Sequence, residues 1–153
     1  MENSSHSAPA AFVPTMVEKP SQRCNLFAIS DQISPRHLSA ASLAYLGDAV
    51  YELYIRSCHL YPAKKLSDYH NQVVKCVRAE SQARLLQSLE PYLSEQERDL
   101  VRRGRNAAGK CPSRLSPRIY QQATALEALI GYLYLANPAR LEVLLNLDFI
   151  DSN

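Results

Sequence analysis

Two acidic residues of the 153-residue sequence lie in apolar stretches where a carboxylate has no ordinary place. Asp48 follows Gly47 within YLGDAVYELYIR, and Glu127 lies within ALEALIGYLYL, which is apolar on almost every side of a helix. A carboxylate that is buried without a partner costs several kcal/mol or takes up a proton. Something beside each of these two acids must therefore compensate for its charge.

Small side chains around Glu127 indicate one such partner. Three of its four neighbours on a helical wheel are small or short: Ala123, Thr124 and Gly131. Two carboxylates held on rigid helices, with space for water, are what a divalent cation requires. The alternative is structural: Asp48 caps or hydrogen-bonds a neighbouring helix, and Glu127 pairs with a core Arg or Tyr. The spacing of the residues leaves both interpretations open.

The elements that carry the two acids are predicted to be helices. Ser34 is a suitable N-cap with Pro35 at the first helical position, and Pro62 closes the segment, so a first helix is predicted between them. Apolar residues recur through it at helical spacing and place Asp48 on another face. The predicted apolar stripe consists of Leu43, Leu46, Val50 and Leu53.

Further helices are predicted along the rest of the chain. A second should run from about Ser67 to Leu89, and the capping box SEQE at 94–97 should begin a third that Gly104 ends. After a loop that contains Gly and Pro, a helix of about five turns carries Glu127 and stops at an Asn-Pro pair, and a short amphipathic segment follows. No alternating strand pattern competes, so the fold class is predicted to be all-α.

The composition predicts one intracellular domain. Residues 1–33 are rich in Ser, Pro and Ala without a sustained period and are predicted to form a disordered or loosely docked tail, which leaves 34–150 as the domain. The four Cys and four His show no ligand spacing, so neither a zinc site nor a disulfide framework is indicated. No apolar run is long enough to cross a bilayer and no signal peptide is evident, so no membrane partner is expected.

Positive charge is concentrated between the third and fourth predicted helices. The net charge is only +2, yet Glu127 is the one acid between Asp99 and Glu142. A cationic segment of this kind fits a polyanion such as nucleic acid, and a solvated loop is the alternative. The candidate nucleic-acid contacts are Arg102, Arg103, Arg105, Lys110, Arg114 and Arg118.

Two motifs resemble those of the ribonuclease III family. YLGDAVYE is similar to the first signature of its endonuclease domains, whose usual form is close to EFLGDAV, and ALEALIGYLYL is similar to the second, close to DxxEALIGAIYL. RRGRN, followed by a loop with Gly, Pro, Lys and Arg, resembles the short form of the family called Mini-ribonuclease III. The resemblance covers about residues 36–147.

This resemblance implies an all-α homodimer that hydrolyses double-stranded RNA with Mg²⁺ and leaves 5′-phosphate ends. Asp48 matches the aspartate of the first motif and Glu127 the glutamate of the second, so both are expected to be catalytic and to hold the metal ion. For a bacterial protein it implies maturation of the large-subunit (23S) ribosomal RNA precursor in the cytoplasm, with a plastid as the second choice of location. A ribosomal protein that presents the RNA stem is a candidate partner.

Two positions depart from the full-length family pattern. Ala44 stands where the first motif usually carries a glutamate, and Thr124 stands where the second carries an aspartate. The short form resembles this sequence at both positions, so cleavage is still expected, and the number of metal ions is left open. The alternative is a non-catalytic ribonuclease III-like module that binds or scaffolds RNA within a ribonucleoprotein, which the loss of either acid would have favoured.

Overall fold

The computed structural model describes residues 34–150, and all regular elements in this range are helical. The predicted all-α fold is confirmed, and the predicted tail over residues 1–33 lies outside the described range. No helix in that range is long and apolar enough to cross a membrane. The six α-helices are α1 (Ala40–His59), α2 (Leu66–Val77), α3 (Ala79–Leu89), α4 (Glu95–Ala107), α5 (Pro117–Ala136) and α6 (Pro138–Ile150).

The centre of the fold is α5. It packs against α1, α3, α4 and α6, and ten of its twenty residues are buried, which is why its sequence is apolar on almost every side. The largest fully buried side chains include Leu126, Leu129 and Ile130 of this helix, together with Leu43 of α1 and Leu86 of α3. An acid on α5 is therefore fixed by the whole core of the domain.

Two glycines allow the backbones of α1 and α5 to touch. A Cβ atom added to Gly47 would lie 1.8 Å from the carbonyl oxygen of Glu127, and one added to Gly131 would lie 2.0 Å from the carbonyl oxygen of Leu43. Only glycine fits at such a crossing. Because Asp48 adjoins Gly47 in sequence, the crossing also determines where Asp48 and Glu127 stand relative to each other.

Gly47→Ala is expected to separate the two helices. An added methyl group cannot be accommodated by side-chain movement here, because the obstructing atoms belong to the backbone. Overpacking costs about 1–3 kcal/mol and occasionally more, and urea unfolding measures this loss. Gly109→Ala is the matched control, since no atom lies within 4 Å of a Cβ added there. Equal stability of the two variants would show that the close approach has little energetic importance.

The first helix begins later than predicted. Ser34 precedes a short 3₁₀ turn over Pro35–His37, and the chain then extends through Leu38. The N-cap of α1 is Ser39, whose side-chain hydroxyl accepts a hydrogen bond of 3.0 Å from the backbone N–H of Ser42. The prediction that Ser34 caps the long helix was therefore wrong, although the Ser-Pro pair does begin a helical turn.

The buried face of α1 is also rotated from the predicted stripe. Leu43 is buried as expected, but Leu53 is 64% exposed. The buried face continues instead through Gly47, Tyr51 and Ile55. The position of the contact is set by the close approach at Gly47, which a count of apolar residues does not detect.

The second predicted helix is divided into α2 and α3 at Arg78, whose backbone is extended with ψ 152°. Side chains from α3 satisfy carbonyl groups at the end of α2. The Ser81 hydroxyl donates to the carbonyl of Lys75 at 2.6 Å, and the Gln82 amide donates to the carbonyl of Val77 at 3.1 Å. These bonds stabilise a helix end that neither Gly nor Pro marks in the sequence.

The two ends of α4 differ in how well the sequence predicted them. The capping box is confirmed: the backbone N–H of Glu97 donates to the Ser94 hydroxyl at 3.2 Å, and the Glu97 carboxylate accepts from the N–H of Ser94 at 2.8 Å. The predicted stop at Gly104 was wrong, since α4 continues to Ala107. Gly104 is buried, and a Cβ added there would lie 2.8 Å from the Cα of Ala125. Gly104 therefore allows α4 to pack closely against α5.

Candidate active site

The two acids singled out from the sequence meet at the crossing of α1 and α5. Glu127 is half-buried on α5, and Asp48 is exposed on α1 beside the glycine that touches the backbone of Glu127. They are close enough for the negative charge of Asp48 to raise the pKa of Glu127. One carboxyl group thus lies inside the fold and the other lies at its surface.

The environment of this pair opposes negative charge. Burial, with a smaller contribution from the charge of Asp48, raises the pKa of Glu127 to about 7, while a hydrogen bond from Gln82 acts in the opposite direction. Partial burial and the nearby charge of Glu52 raise the pKa of Asp48 above its usual value. A site with this electrostatic character attracts a cation.

No cationic side chain supplies this compensation within the described part of the chain. Neither acid forms an ion pair with Arg or Lys there. Arg56 lies two turns after Asp48 on α1, but it is paired with Glu52. The Nε of Arg56 donates a hydrogen bond of 3.1 Å to the Glu52 carboxylate. The structural interpretation offered a core Arg or Tyr as the partner of Glu127, and of these two the Arg is absent among the described residues.

Two carboxylates are enough to hold a hydrated Mg²⁺ ion. In residues 34–147 no group of three or more His, Cys, Asp or Glu side chains could hold an ion. Mg²⁺ usually keeps several of its waters and is bound through only one or two carboxylates. Of the two positions that depart from the full-length pattern, Ala44 is apolar and supplies no ligand, and Thr124 carries a hydroxyl that donates to the carbonyl of Tyr120 at 3.0 Å.

One residue of the site was missed from the sequence. Gln82 of α3 is only 2% exposed, and its side-chain amide is close enough to the Glu127 carboxyl to lower the pKa of that group through a hydrogen bond. It lies on the buried face of α3 together with Leu85, Leu86 and Leu89. A glutamine at a core position of an amphipathic helix was the available signal, because buried polar side chains require a specific partner.

The structure divides the six predicted nucleic-acid contacts into two groups. On α4, Arg102 and Arg103 pair with Asp99, and Arg105 pairs with Glu90. The other three are exposed and form no ion pair within the described residues. This unpaired group consists of Lys110, Arg114 and Arg118.

The helical fold and the acid pair define the class of protein. The family model of the ribonuclease III domain matches residues 41–138, and the chain belongs to the ribonuclease III family. Within this family it is similar to Mini-ribonuclease 3 of Synechocystis sp., with 50% identity over 118 residues that cover 77% of this chain and 82% of that protein. Mini-ribonuclease 3 of Thermosynechococcus vestitus is 54% identical over 114 residues, or 74% of this chain and 76% of that protein.

A solved structure has the same fold. The crystal structure of a protein from Fusobacterium nucleatum has a TM-score of 0.71 and 28% sequence identity, and it covers 77% of this chain and 97% of that one. The predicted relation to Mini-ribonuclease III is confirmed. The chain is an endoribonuclease of this family.

Proposed function

We propose that this endoribonuclease cleaves double-stranded RNA at a Mg²⁺ site formed by Asp48 and Glu127. The observation that carries the proposal is the meeting of these two acids at the Gly47–Gly131 crossing, where no Arg or Lys of the described chain neutralises them. A bound Mg²⁺ would supply the missing charge, activate a water for attack on the phosphate and stabilise the departing 3′ oxygen.

The residues of the chain have distinct tasks in this proposal. Glu127 is anchored in the core and would hold the cation through its carboxylate. Asp48 would hold the same cation from the surface, where a large substrate has access to it. No side chain is required as a nucleophile, because water attacks the phosphorus and the products carry 5′-phosphate and 3′-hydroxyl ends.

The proposed substrate is a stem of the 23S ribosomal RNA precursor. This is supported by the match to bacterial proteins named Mini-ribonuclease 3 and by the resemblance of the two motifs to that group. We place the activity in the bacterial cytoplasm, where that precursor is made, with a ribosomal protein as a candidate partner that presents the stem.

A direct test is incubation of the purified chain with a long RNA duplex. Cleavage is expected with Mg²⁺ and not with a chelator, a single strand of the same sequence should be cut far more slowly, and the products should carry 5′-phosphate. The competing scaffold function predicts that the duplex is bound and remains intact with Mg²⁺. That outcome would refute the proposed activity while leaving the family assignment in place.

The proposed RNA contact is the segment between α4 and α5. Lys110, Arg114 and Arg118 are exposed there without an ion pair in the described residues, which leaves their charges free for phosphates. Arg118 lies in the first turn of α5, where a positive charge is unfavourable for the helix dipole. A bound phosphate would relieve this unfavourable interaction, and A-form RNA is recognised mainly through its phosphates, 2′-hydroxyls and shape.

Neutralising this unpaired group is expected to weaken the binding of all duplex sequences alike. Changing Lys110, Arg114 and Arg118 to Gln should make the log–log salt dependence of binding shallower by about two, at roughly 0.7–0.9 for each phosphate that the variant no longer binds. Binding is measured in Ca²⁺, where cleavage should be suppressed, across a series of salt concentrations.

The matched control removes three charges from the neighbouring α4. Changing Arg102, Arg103 and Arg105 to Gln has the same effect on net charge, but these side chains already pair with acids. The control should therefore change the salt dependence less, provided that circular dichroism shows an intact fold. An unchanged affinity in the first variant would remove the α4–α5 segment from the RNA site.

We propose further that two copies of the chain form the enzyme. Support comes from apolar side chains left exposed on adjoining helices: Tyr45 and Leu53 on α1, and Leu66 and Val74 on α2. The latter two line a groove with Glu52 and Arg56 of α1. A duplex has two strands, and a two-fold axis would supply one acid pair for each strand.

Sedimentation is expected to show a dimer that Leu53→Asp converts to a folded monomer. Burying an unpaired charge in an interface is costly, whereas the exposed position of Leu53 makes the substitution harmless to the single chain. Val143→Asp on α6 is the control, because this side chain is also exposed but lies on another helix. A parent protein that sediments as a monomer and still cuts both strands in one encounter would contradict the proposed dimer.

A further inference from the structure

Gln82 occupies a position where an apolar residue would satisfy the fold. It is 2% exposed, and the other buried residues of α3 are Leu85, Leu86 and Leu89. Burying an amide in such a place lowers stability unless all its polar atoms find partners. The hydrogen bonds of Gln82 therefore indicate what this side chain contributes.

The Gln82 amide lies beside two groups that can accept a hydrogen bond. Its nitrogen donates to the carbonyl oxygen of Val77 at the end of α2, at 3.1 Å, and the amide is close enough to the Glu127 carboxyl to lower the pKa of that group through a hydrogen bond. Because the carbonyl of Val77 can only accept, this bond fixes which side of the amide carries nitrogen. The amide oxygen Oε1 is left buried and without a hydrogen-bond partner among the described residues.

The unpaired oxygen requires a donor, and the acids of the site in their ionised form cannot provide one. A hydrated cation brings donors into the site, because Mg²⁺ retains several waters when it binds to carboxylates. The same amide would then touch the metal ligand through nitrogen and the hydration shell through oxygen. Partners of this kind orient the ligands of metal sites and change metal affinity.

We propose that Gln82 is a positioning residue of the metal site, which orients the Glu127 carboxylate through its N–H and accepts a hydrogen bond from a water of the hydrated cation through Oε1. This inference rests on the proposed function, since it assumes that Asp48 and Glu127 hold the ion. The bond to Val77 ties the junction of α2 and α3 to the same network. A purely structural role for Gln82 would consist of this bond alone.

The test is metal binding to the RNA-free protein, measured by calorimetry with Mg²⁺ and with Mn²⁺. Gln82→Met keeps the length of the side chain but removes its donors and its acceptor. It is expected to weaken metal binding by about 10–100-fold and to raise by a similar factor the Mg²⁺ concentration at which cleavage is half-maximal. Duplex affinity in Ca²⁺ should stay within about twofold of the parent, because a side chain that is only 2% exposed cannot contact RNA directly.

Two further variants separate this role from a structural one. Gln87→Leu, on an exposed position of the same helix, should bind metal as the parent does. Gln82→Asn keeps an amide one methylene shorter that cannot reach both partners, so it should also weaken metal binding even if Gln82→Met fails to fold. Folded variants of Gln82 that bind metal with parental affinity would overturn the inference. A parent that binds no metal and cuts no duplex would instead refute the proposed function.

Discussion

Asp48→Ala and Glu127→Ala are each expected to lower the rate of duplex cleavage by at least about 10³-fold. The bound ion contributes several kcal/mol of charge stabilisation to the transition state, and about 1.4 kcal/mol corresponds to a factor of ten in rate. The loss should appear in cleavage alone, because neither side chain belongs to the proposed RNA contact between α4 and α5. Duplex binding in Ca²⁺ and the circular dichroism spectrum should remain close to those of the parent.

Glu142→Ala provides the control for this comparison. Glu142 is an exposed acid on α6, so its removal changes the net charge equally without affecting the crossing of α1 and α5. This control should cleave as the parent does. If either Asp48→Ala or Glu127→Ala kept its rate within a few-fold of the parent, the assignment of these two acids as metal ligands would be wrong.

The second large effect concerns stability without metal. Burial raises the pKa of Glu127 from an ordinary value of 4.5 to about 7. Between these two pH values the folded protein binds more protons than the unfolded chain, so its stability falls as the pH rises. Glu127→Gln removes this titration and should stabilise the metal-free protein at pH 8 by on the order of 2 kcal/mol. The free energy of unfolding in urea measures the difference.

The pH dependence provides the check on this prediction. The stabilisation by Glu127→Gln should be largest above pH 7 and should disappear near pH 4, where the parent carboxyl is protonated in both states. Metal binding to the parent should also weaken below pH 7, because the ion must then displace a proton. A variant that is less stable than the parent at pH 8 would show that the carboxylate of Glu127 is satisfied by the metal-free fold.

The two acids stand out in the sequence because their signals are local, although these signals left a structural role open and it was the resemblance of the two motifs that favoured a metal site. An acid next to Gly47 in an apolar helix, and another flanked by small residues in a buried helix, are unfavourable placements that a site explains. The structure adds the reason for their proximity, which is backbone contact at Gly47 and Gly131. The exact face of α1 was not predictable, because it depends on this contact and only partly on hydrophobicity.

Gln82 and the break before it were missed for a related reason. Arg78 is neither Gly nor Pro, so a continuous helix was the reasonable expectation across the junction of α2 and α3. The hydrogen bond from Gln82 to Val77 spans five residues, but its importance depends on Glu127, which lies on a different helix. A polar side chain in an apolar stripe can be recognised from sequence, whereas its partner cannot.

Counting charges in the sequence had a similar limit for the cationic residues of α4 and of the segment between α4 and α5. Arg102 and Arg103 lie three and four residues after Asp99, a helical spacing at which ion pairs are expected. The pairing of Arg105 with Glu90 joins two separate elements and required the fold. The sequence shows where the cationic residues are concentrated, but only the arrangement of acids around them identifies which of these charges have no ion pair among the described residues.

The central claim is that Asp48 and Glu127 together hold a divalent cation, and anomalous scattering from crystals soaked in Mn²⁺ tests it most directly. A peak is expected beside both carboxylates at the crossing of α1 and α5, and it should be absent from crystals of Glu127→Gln soaked in the same way. A peak at other acids, or a peak that persists unchanged in Glu127→Gln, would contradict the account.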